Sequence, residues 1–166
     1  YEIASCLVGS EMCIRDSWYI AGERARRVGK RLPDYMEFTV AADGSPQGLD
    51  ASNTNGHTAT TNKARTAVGK IANAISALNI CDLVGNVWKW LNELLHDPTA
   101  ASAAWYDVFG GGYGQAYMYS STGLHALLGG GYWGNGVRCG SRAVSCNGYP
   151  WNVGTDVGVW CVCDSL

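Results

Sequence analysis

Phenylalanine is nearly missing, with two among 166 residues, whereas tryptophan occurs seven times and tyrosine nine. Aromatic mass is therefore carried by rings with a polar N–H or O–H at one edge, which suit partly wetted surfaces as well as cores. An excess of positive charge is missing too. Twelve Lys and Arg face fourteen Asp and Glu, giving a net charge of −2 and a pI near 5.9. That balance offers no basic field to phosphates and excludes nucleic acid as the expected partner. Apolar runs stop after a few residues, far short of the roughly 20 that cross a bilayer, so no membrane span is expected. No basic region precedes the apolar Ile3–Val8 stretch, which excludes a signal peptide.

Patterns that carry chemistry are scarce as well. His57, His96 and His125 are scattered without metal-ligand spacing and read as surface or capping residues. Asp97-Pro98 beside His96 is a turn signal. Gly110–Gly114 lacks both the preceding strand and the Lys-Ser/Thr pair of a phosphate loop. Neither Glu-Pro-Asn nor Gln-Pro-Asp, the calcium motifs of true lectins, occurs. No catalytic residue, metal ligand or cofactor is expected, although a structural calcium elsewhere is left open.

What is present fits one domain, since a chain of about 150 residues buries roughly 68–70% of its unfolded surface. Twenty-two glycines imply many turns. Seven cysteines make an odd count for a disulfide framework. Cys161 and Cys163, two apart on a strand, would point to opposite faces and not pair. Cys139 and Cys146 either bridge across a loop or stay as buried thiols. Residues Cys6–Ser17 resemble the translation of a sequencing-library adapter, so residues 1–17 are set aside as non-native, five cysteines remain, and the domain is expected over 18–166. A genuine short N-terminal strand is the alternative. The chain starts at Tyr1 without an initiator Met, which points to a C-terminal fragment of a longer protein.

Along the chain, residues 17–29 place Tyr19, Ile20, Ala25 and Val28 among charges as an amphipathic helix that Gly29 can end, with basic residues in its last turn. Asp34 as N-cap with Glu37 three residues on predicts a second helix over about 34–43, with Tyr35, Phe38, Ala41 and Ala42 on its apolar side. Residues 43–63 are rich in turn formers and read as a surface loop. Residues 64–78 have the alanine content of a helix, weakened by Gly69 and β-branched residues. Val87–Leu91 alternates as a core strand after a Gly85-Asn86 bulge or turn. Residues 95–125 read as loops. Short strands follow from Leu127, ending in one over 158–163. The result is an α+β domain, two early helices and a loop-rich antiparallel sheet.

The most informative stretch runs from Gly129 to Asp164. Trp133, Arg142, Pro150, Trp151 and Gly158 have the character of framework. Tyr132, Asn135, Arg138, Asn147, Tyr149, Asn152, Asp156 and Trp160 have that of side chains shown to a ligand. Gly134, Val137, Ser145, Gly148 and Gly154 complete the candidate ligand-binding set. Tyr and Trp give stiff contact area at low entropy cost, and Ser, Gly and Asn adapt their hydrogen bonds, the composition of antibody paratopes. The plainer alternative is that these are ordinary turn residues and core aromatics.

Four motifs in order carry a resemblance. Lys30-Arg-Leu-Pro-Asp-Tyr-Met-Glu-Phe38, Asp82-Leu-Val-Gly-Asn-Val-Trp-Lys-Trp90, Gly130-Gly-Tyr-Trp133 and Gly158-Val-Trp160 resemble the formylglycine-generating-enzyme, or sulfatase-modifying factor, branch of the C-type lectin fold. Within it, Cys139–Arg142, Pro150–Asn152 and Val162–Asp164 are similar to the variable proteins of diversity-generating retroelements. The resemblance implies a C-type lectin-like fold over about 18–164 and a variable region over about 130–164. It also implies a non-enzymatic role in binding a protein or cell-surface ligand, at a phage tail or cell surface.

The resemblance further implies that adenine-mutated AAC-type codons never yield Lys, Glu, Gln, Met or Trp. Residues 132–159 contain no Lys, Glu, Gln or Met, and Trp133 and Trp151 fall at framework positions. Trp160 stands where the family has Arg. Lys89 stands where it has Glu, which puts any buried carboxylate contact there in doubt. The alternatives are a fixed lectin-like binding module and an oxidase of the formylglycine-generating type, which would need a copper-holding cysteine pair. Cys139 and Cys146 occupy the matching stretch, but the Tyr/Arg-flanked cysteine motif of active enzymes is missing.

Overall fold

The computed structural model describes residues 16–46, 65–99, 102–110 and 112–164. Two helices, α1 (Trp18–Arg27) and α2 (Tyr35–Ala41), precede six strands: β1 (Trp88–His96), β2 (Ala104–Tyr106), β3 (Ala116–Met118), β4 (Leu124–Gly129), β5 (Val144–Gly148) and β6 (Val157–Gly158). The strands form one sheet in the order β2-β3-β5-β4-β1-β6. Pairings β1–β4, β4–β5 and β2–β3 are antiparallel, while β1–β6 and β3–β5 are parallel, so the sheet is mixed.

Both helices form where expected. The Ser17 side chain accepts from Ile20 N at 3.4 Å as N-cap of α1, and Arg24, Arg26 and Arg27 crowd its last turn, next to the negative end of its dipole. Its orientation differs from the expected one. Of the expected apolar residues Ala25 is buried, but Tyr19, Ile20 and Val28 are exposed, and the small residues Ala21 and Gly22 face inward with Ala25 instead. The tryptophans of β1 fill the layer beneath, so only small side chains let the helix approach. In α2, Asp34 and Glu37 form both halves of the capping box, and Phe38 and Ala41 turn inward.

Strand alternation splits the interior into two layers. Phe38, Leu83, Leu91, Leu127, Val144 and Cys146 pack on the α2 side of the sheet. Trp88, Trp90, Ala126, Leu128 and Val157 pack on the other, with Ala21 of α1 against them. The first four residues of β1 are buried on both faces, and the Trp90 indole donates to the Asp16 carbonyl at 3.0 Å. Arg31 ties the ends of the domain together. Its guanidinium pairs with Glu37 and Asp164, both at 2.7 Å, while its backbone exchanges two 2.9 Å hydrogen bonds with Val162. The two acids hold the guanidinium pKa above its ordinary value, and Arg31 in turn holds the Glu37 carboxyl below its own.

Several expectations are corrected. Residues 65–78 form turns and a single bridge, Ile75 to Cys81, rather than a helix. The stretch read as loop from 95 to 125 contains β2, β3 and the start of β4. Of the last strand expected over 158–163, only Gly158 lies in a strand, together with Val157 in β6, although Val162 bridges to Arg31. Of the two readings open for Cys139 and Cys146, the one that holds is that both are buried free thiols. Residues 1–15 and 47–64, which hold most of the adapter-like segment, the long loop and His57, lie outside the described residues. Asp16 and Ser17, the last two of that segment, are buried and take part in the fold.

Candidate ligand-binding face

On the side of the sheet away from α2, strand register places one residue from each of five strands in a single row. Trp105 stands opposite Tyr117, Tyr117 opposite Ser145, Ser145 opposite Leu128 and Leu128 opposite Trp90. Trp88 continues the face to Val157 of β6. The aromatic members touch, with Trp88 and Trp105 stacked at 6.3 Å and Trp105 and Tyr117 at 5.1 Å. This row is the floor of an open depression of about 520 Å³.

The walls come from two segments that leave the sheet. After β4, Gly130 and Gly131 adopt φ of 88° and 85°, a region that side chains rarely enter. The chain then turns tightly, with Tyr132 N donating to Asn135 Oδ1 at 3.0 Å and a short 3-10 turn at Gly136–Arg138. Cys139 closes this loop from below, its thiol donating to the Tyr132 carbonyl at 3.3 Å. The opposite wall is residues 152–156, between β5 and β6. It is anchored where Trp88 N donates to the Asp156 carbonyl at 2.8 Å.

Of the thirteen residues singled out from sequence, Tyr132, Gly134, Asn135, Arg138, Ser145, Asn147, Gly148, Asn152, Gly154 and Asp156 line this depression. Ser145 and Gly148 are buried in its floor rather than displayed. The other three sit elsewhere. Val137 is exposed, beside Arg138 but outside the depression. Tyr149 packs on the buried His125 ring at 4.5 Å, and its hydroxyl lies 2.9 Å from that of Ser121. Trp160 is on the α2 side of the sheet, edge-on to Phe38 at 6.4 Å. The framework expectation for Trp151 is also corrected: Pro150 is buried, but Trp151 is 59% exposed and stacks on Tyr149.

Apart from Ser145 and Gly148, sequence reasoning missed the floor. Trp105 and Tyr117 belong to three-residue strands, and only cross-strand register brings them beside Ser145 and Leu128. The available signal was a β-forming aromatic placed between small or apolar neighbours in Ala104-Trp-Tyr and Ala116-Tyr-Met.

Charges are sparse in the depression. Arg138 lies over the Trp105 ring, 5.3 Å from its centre, in cation–π range. Asp156 is the one acidic residue of the lining. Beneath the face, Lys89 takes the position expected to be Glu and is buried at 2% exposure. No hydrogen-bond partner reaches its Nζ among the described residues. Burial pushes its pKa down to about 8, against the opposing attraction of Asp82 and Cys139. Burial likewise pushes the Cys139 thiol up to about 12 and raises Cys146.

A copper-holding pair does not fit these two cysteines. Cys139 is committed to the Tyr132 carbonyl, and Cys146 points to the Met118 sulfur at 3.8 Å. Metals bind the thiolate, which burial disfavours at both positions. Among the described residues no group of three or more His, Cys, Asp or Glu could hold a metal ion.

Comparison with known proteins gives a consistent picture. The sulfatase-modifying factor enzyme 1-like domain matches residues 14–165. The chain is 30% identical over 159 residues to the tail fiber receptor-binding protein of Bordetella phage BPP-1, a match covering 95% of this chain and 39% of that protein. Among solved structures, the Major Tropism Determinant M1 variant superposes with a TM-score of 0.65 at 26% identity, covering 89% of this chain and 37% of that one. Treponema denticola variable protein 1 shares the fold, with a TM-score of 0.50 at 22% identity over 78% of this chain and 46% of that one. The architecture is that of C-type lectin-fold variable proteins. The chain spans less than half the length of each of these relatives.

Proposed function

The chain belongs to the sulfatase-modifying factor enzyme 1-like domain family, and we propose that it is a non-enzymatic binding domain that recognises a cell-surface ligand from a virion tail. Its C-terminal region, about residues 130–164, is the part diversified by a retroelement. One observation carries this reading: residues from 132 to 156 converge from two loops on a single open face whose floor is rigid aromatic scaffold. The receptor-binding and tropism-determining relatives named above support it. The oxidase reading rests on the family name alone and is opposed by the separate, protonated burial of Cys139 and Cys146.

The test is to sequence the DNA around the gene. A near-copy of the codons for residues 130–164, differing at adenines and lying beside a reverse transcriptase gene, is expected. A complete locus without one refutes diversification and leaves a fixed binder. Stoichiometric copper uptake that requires both Cys139 and Cys146 would refute the non-enzymatic assignment.

A further inference from the structure

Resting on that reading, we propose that the ligand seated in this depression is a saccharide bound without calcium, its hydroxyls bridging Arg138 and Asp156 across the tryptophan floor. Arg138 is a pure donor and Asp156 a pure acceptor, and both line the same depression. Among the described residues no ion pair joins either of them to a partner. An aliphatic occupant would cover both charges without satisfying them, at a desolvation cost. An anion would meet Arg138 and be repelled by Asp156, and a cation would meet the reverse. A hydroxyl both donates and accepts, so a neutral polyol satisfies the two at once through charge-assisted hydrogen bonds.

The rest of the lining has the same preference. Asn147 and Asn152 are exposed there and carry carboxamides that donate and accept side by side. Tyr117 is partly exposed and offers aromatic surface to the C–H side of a sugar ring, while Trp105, stacked on Trp88, holds Arg138 over its ring. The volume of about 520 Å³ lies inside the range of roughly 300–1,000 Å³ usual for small-molecule sites. The site is preformed, because Trp88 and Trp90 fix the floor and backbone bonds fix both walls. A calcium ion takes six to eight oxygens, usually with several carboxylates, and Asp156 is the single carboxylate of this lining. The sugar hydroxyls therefore meet protein groups directly.

The probe is an array of bacterial and eukaryotic surface glycans, overlaid with the full chain in excess EDTA, with the best glycan then titrated by calorimetry. Binding is expected to survive EDTA. R138A and D156N are each expected to weaken it at least tenfold with unchanged thermal midpoints. N152A serves as a third variant should either fail to fold. Loss of binding in EDTA overturns the calcium-free assignment, and an array with no bound glycan overturns the saccharide. In that second case, binding to an enzymatically deglycosylated surface protein, lost in the same variants, would leave the proposed receptor-binding role standing and make the ligand a protein.

Discussion

Lys89 gives the sharpest quantitative test of the structure. Its ammonium is buried between the two core layers at 2% exposure, with its pKa lowered from 10.5 to about 8. Every tenfold loss of proton affinity corresponds to about 1.4 kcal/mol, so the charged form costs the native state about 3 kcal/mol near neutral pH. Methionine has similar length and no charge, so K89M is expected to stabilise the domain. The lowered pKa already includes the attraction of Asp82, and imperfect packing of the new thioether offsets part of the gain, leaving a net of about 2–3 kcal/mol. At about 2–4 °C per kcal/mol for a domain of this size, the midpoint should rise by roughly 4–12 °C.

The pH dependence identifies the cause. Between pH 8 and 10.5 the unfolded chain holds a proton on Lys89 that the native state has released, so stability rises with pH in that window. Cys139 acts in the opposite sense. Its pKa rises from 9.0 to about 12 on folding, so the unfolded chain loses a proton above pH 9 that the native state keeps, and stability falls. The two oppose each other between 9 and 10.5, which leaves a rise from pH 8 to 9 as the Lys89 signature. Thermal or urea unfolding across about pH 7–9 measures it. Wild type should gain stability over that interval and K89M should not. If K89M is instead destabilised at neutral pH, the ammonium has a compensating partner and the buried-charge assignment fails.

Two further perturbations separate core from surface. W90A removes a side chain 1% exposed and leaves the Asp16 carbonyl without its donor, so urea denaturation should show a loss of about 3–5 kcal/mol, whereas W151A, at 59% exposure, should stay within about 0.5 kcal/mol. Equal losses would contradict the orientation of the 149–153 loop. His125 is fully buried with neither ring nitrogen hydrogen-bonded among the described residues, and burial lowers its pKa. Stability should therefore decline as pH falls below the ordinary histidine value of 6.5, where the unfolded chain takes up a proton that the native state resists. H125F should remove that part of the decline in an acid titration of the unfolding midpoint, and an unchanged acid limb would place the loss elsewhere.

How far the sequence revealed this structure depended on whether a signal was local. The Asp34–Glu37 capping box is a short-range pattern and specifies α2 by itself. The first half of β1 was legible because Val87, Trp88, Trp90 and Leu91 leave Lys89 as its one charge and Gly85-Asn86 marks its start. Strands β2 and β3 were not, since three residues between glycine- and serine-rich segments carry no period, and they become strands only by pairing with β5 and with each other. The α1 orientation is not legible from residue size, because the space under the helix is filled by Trp88 and Trp90 and admits only the small residues of α1. The walls of the depression were readable from the composition of 132–156. Its floor was not, because the row from Trp105 to Trp90 is a property of register across five strands.

That division between walls and floor bears on how one fold can tolerate a changing face. The wall loops are held mainly through main-chain atoms. Trp133 N donates to Asn86 O, Gln115 N to Arg138 O, Asn152 N to Tyr149 O and Trp88 N to Asp156 O. A backbone hydrogen bond does not depend on the side chain of the residue that makes it, so Arg138, Asn152 and Asp156 can be exchanged while their loop stays in place. Asn135 is the exception, because its side chain accepts from Tyr132 N and so fixes the first turn of its loop. The strands impose the opposite rule on their own members, since Trp88, Trp90 and Leu128 fill the layer beneath α1. Side-chain exchange without loss of the fold is thus confined by physics to positions that project from a backbone anchored elsewhere, and Asn135 marks where that freedom ends.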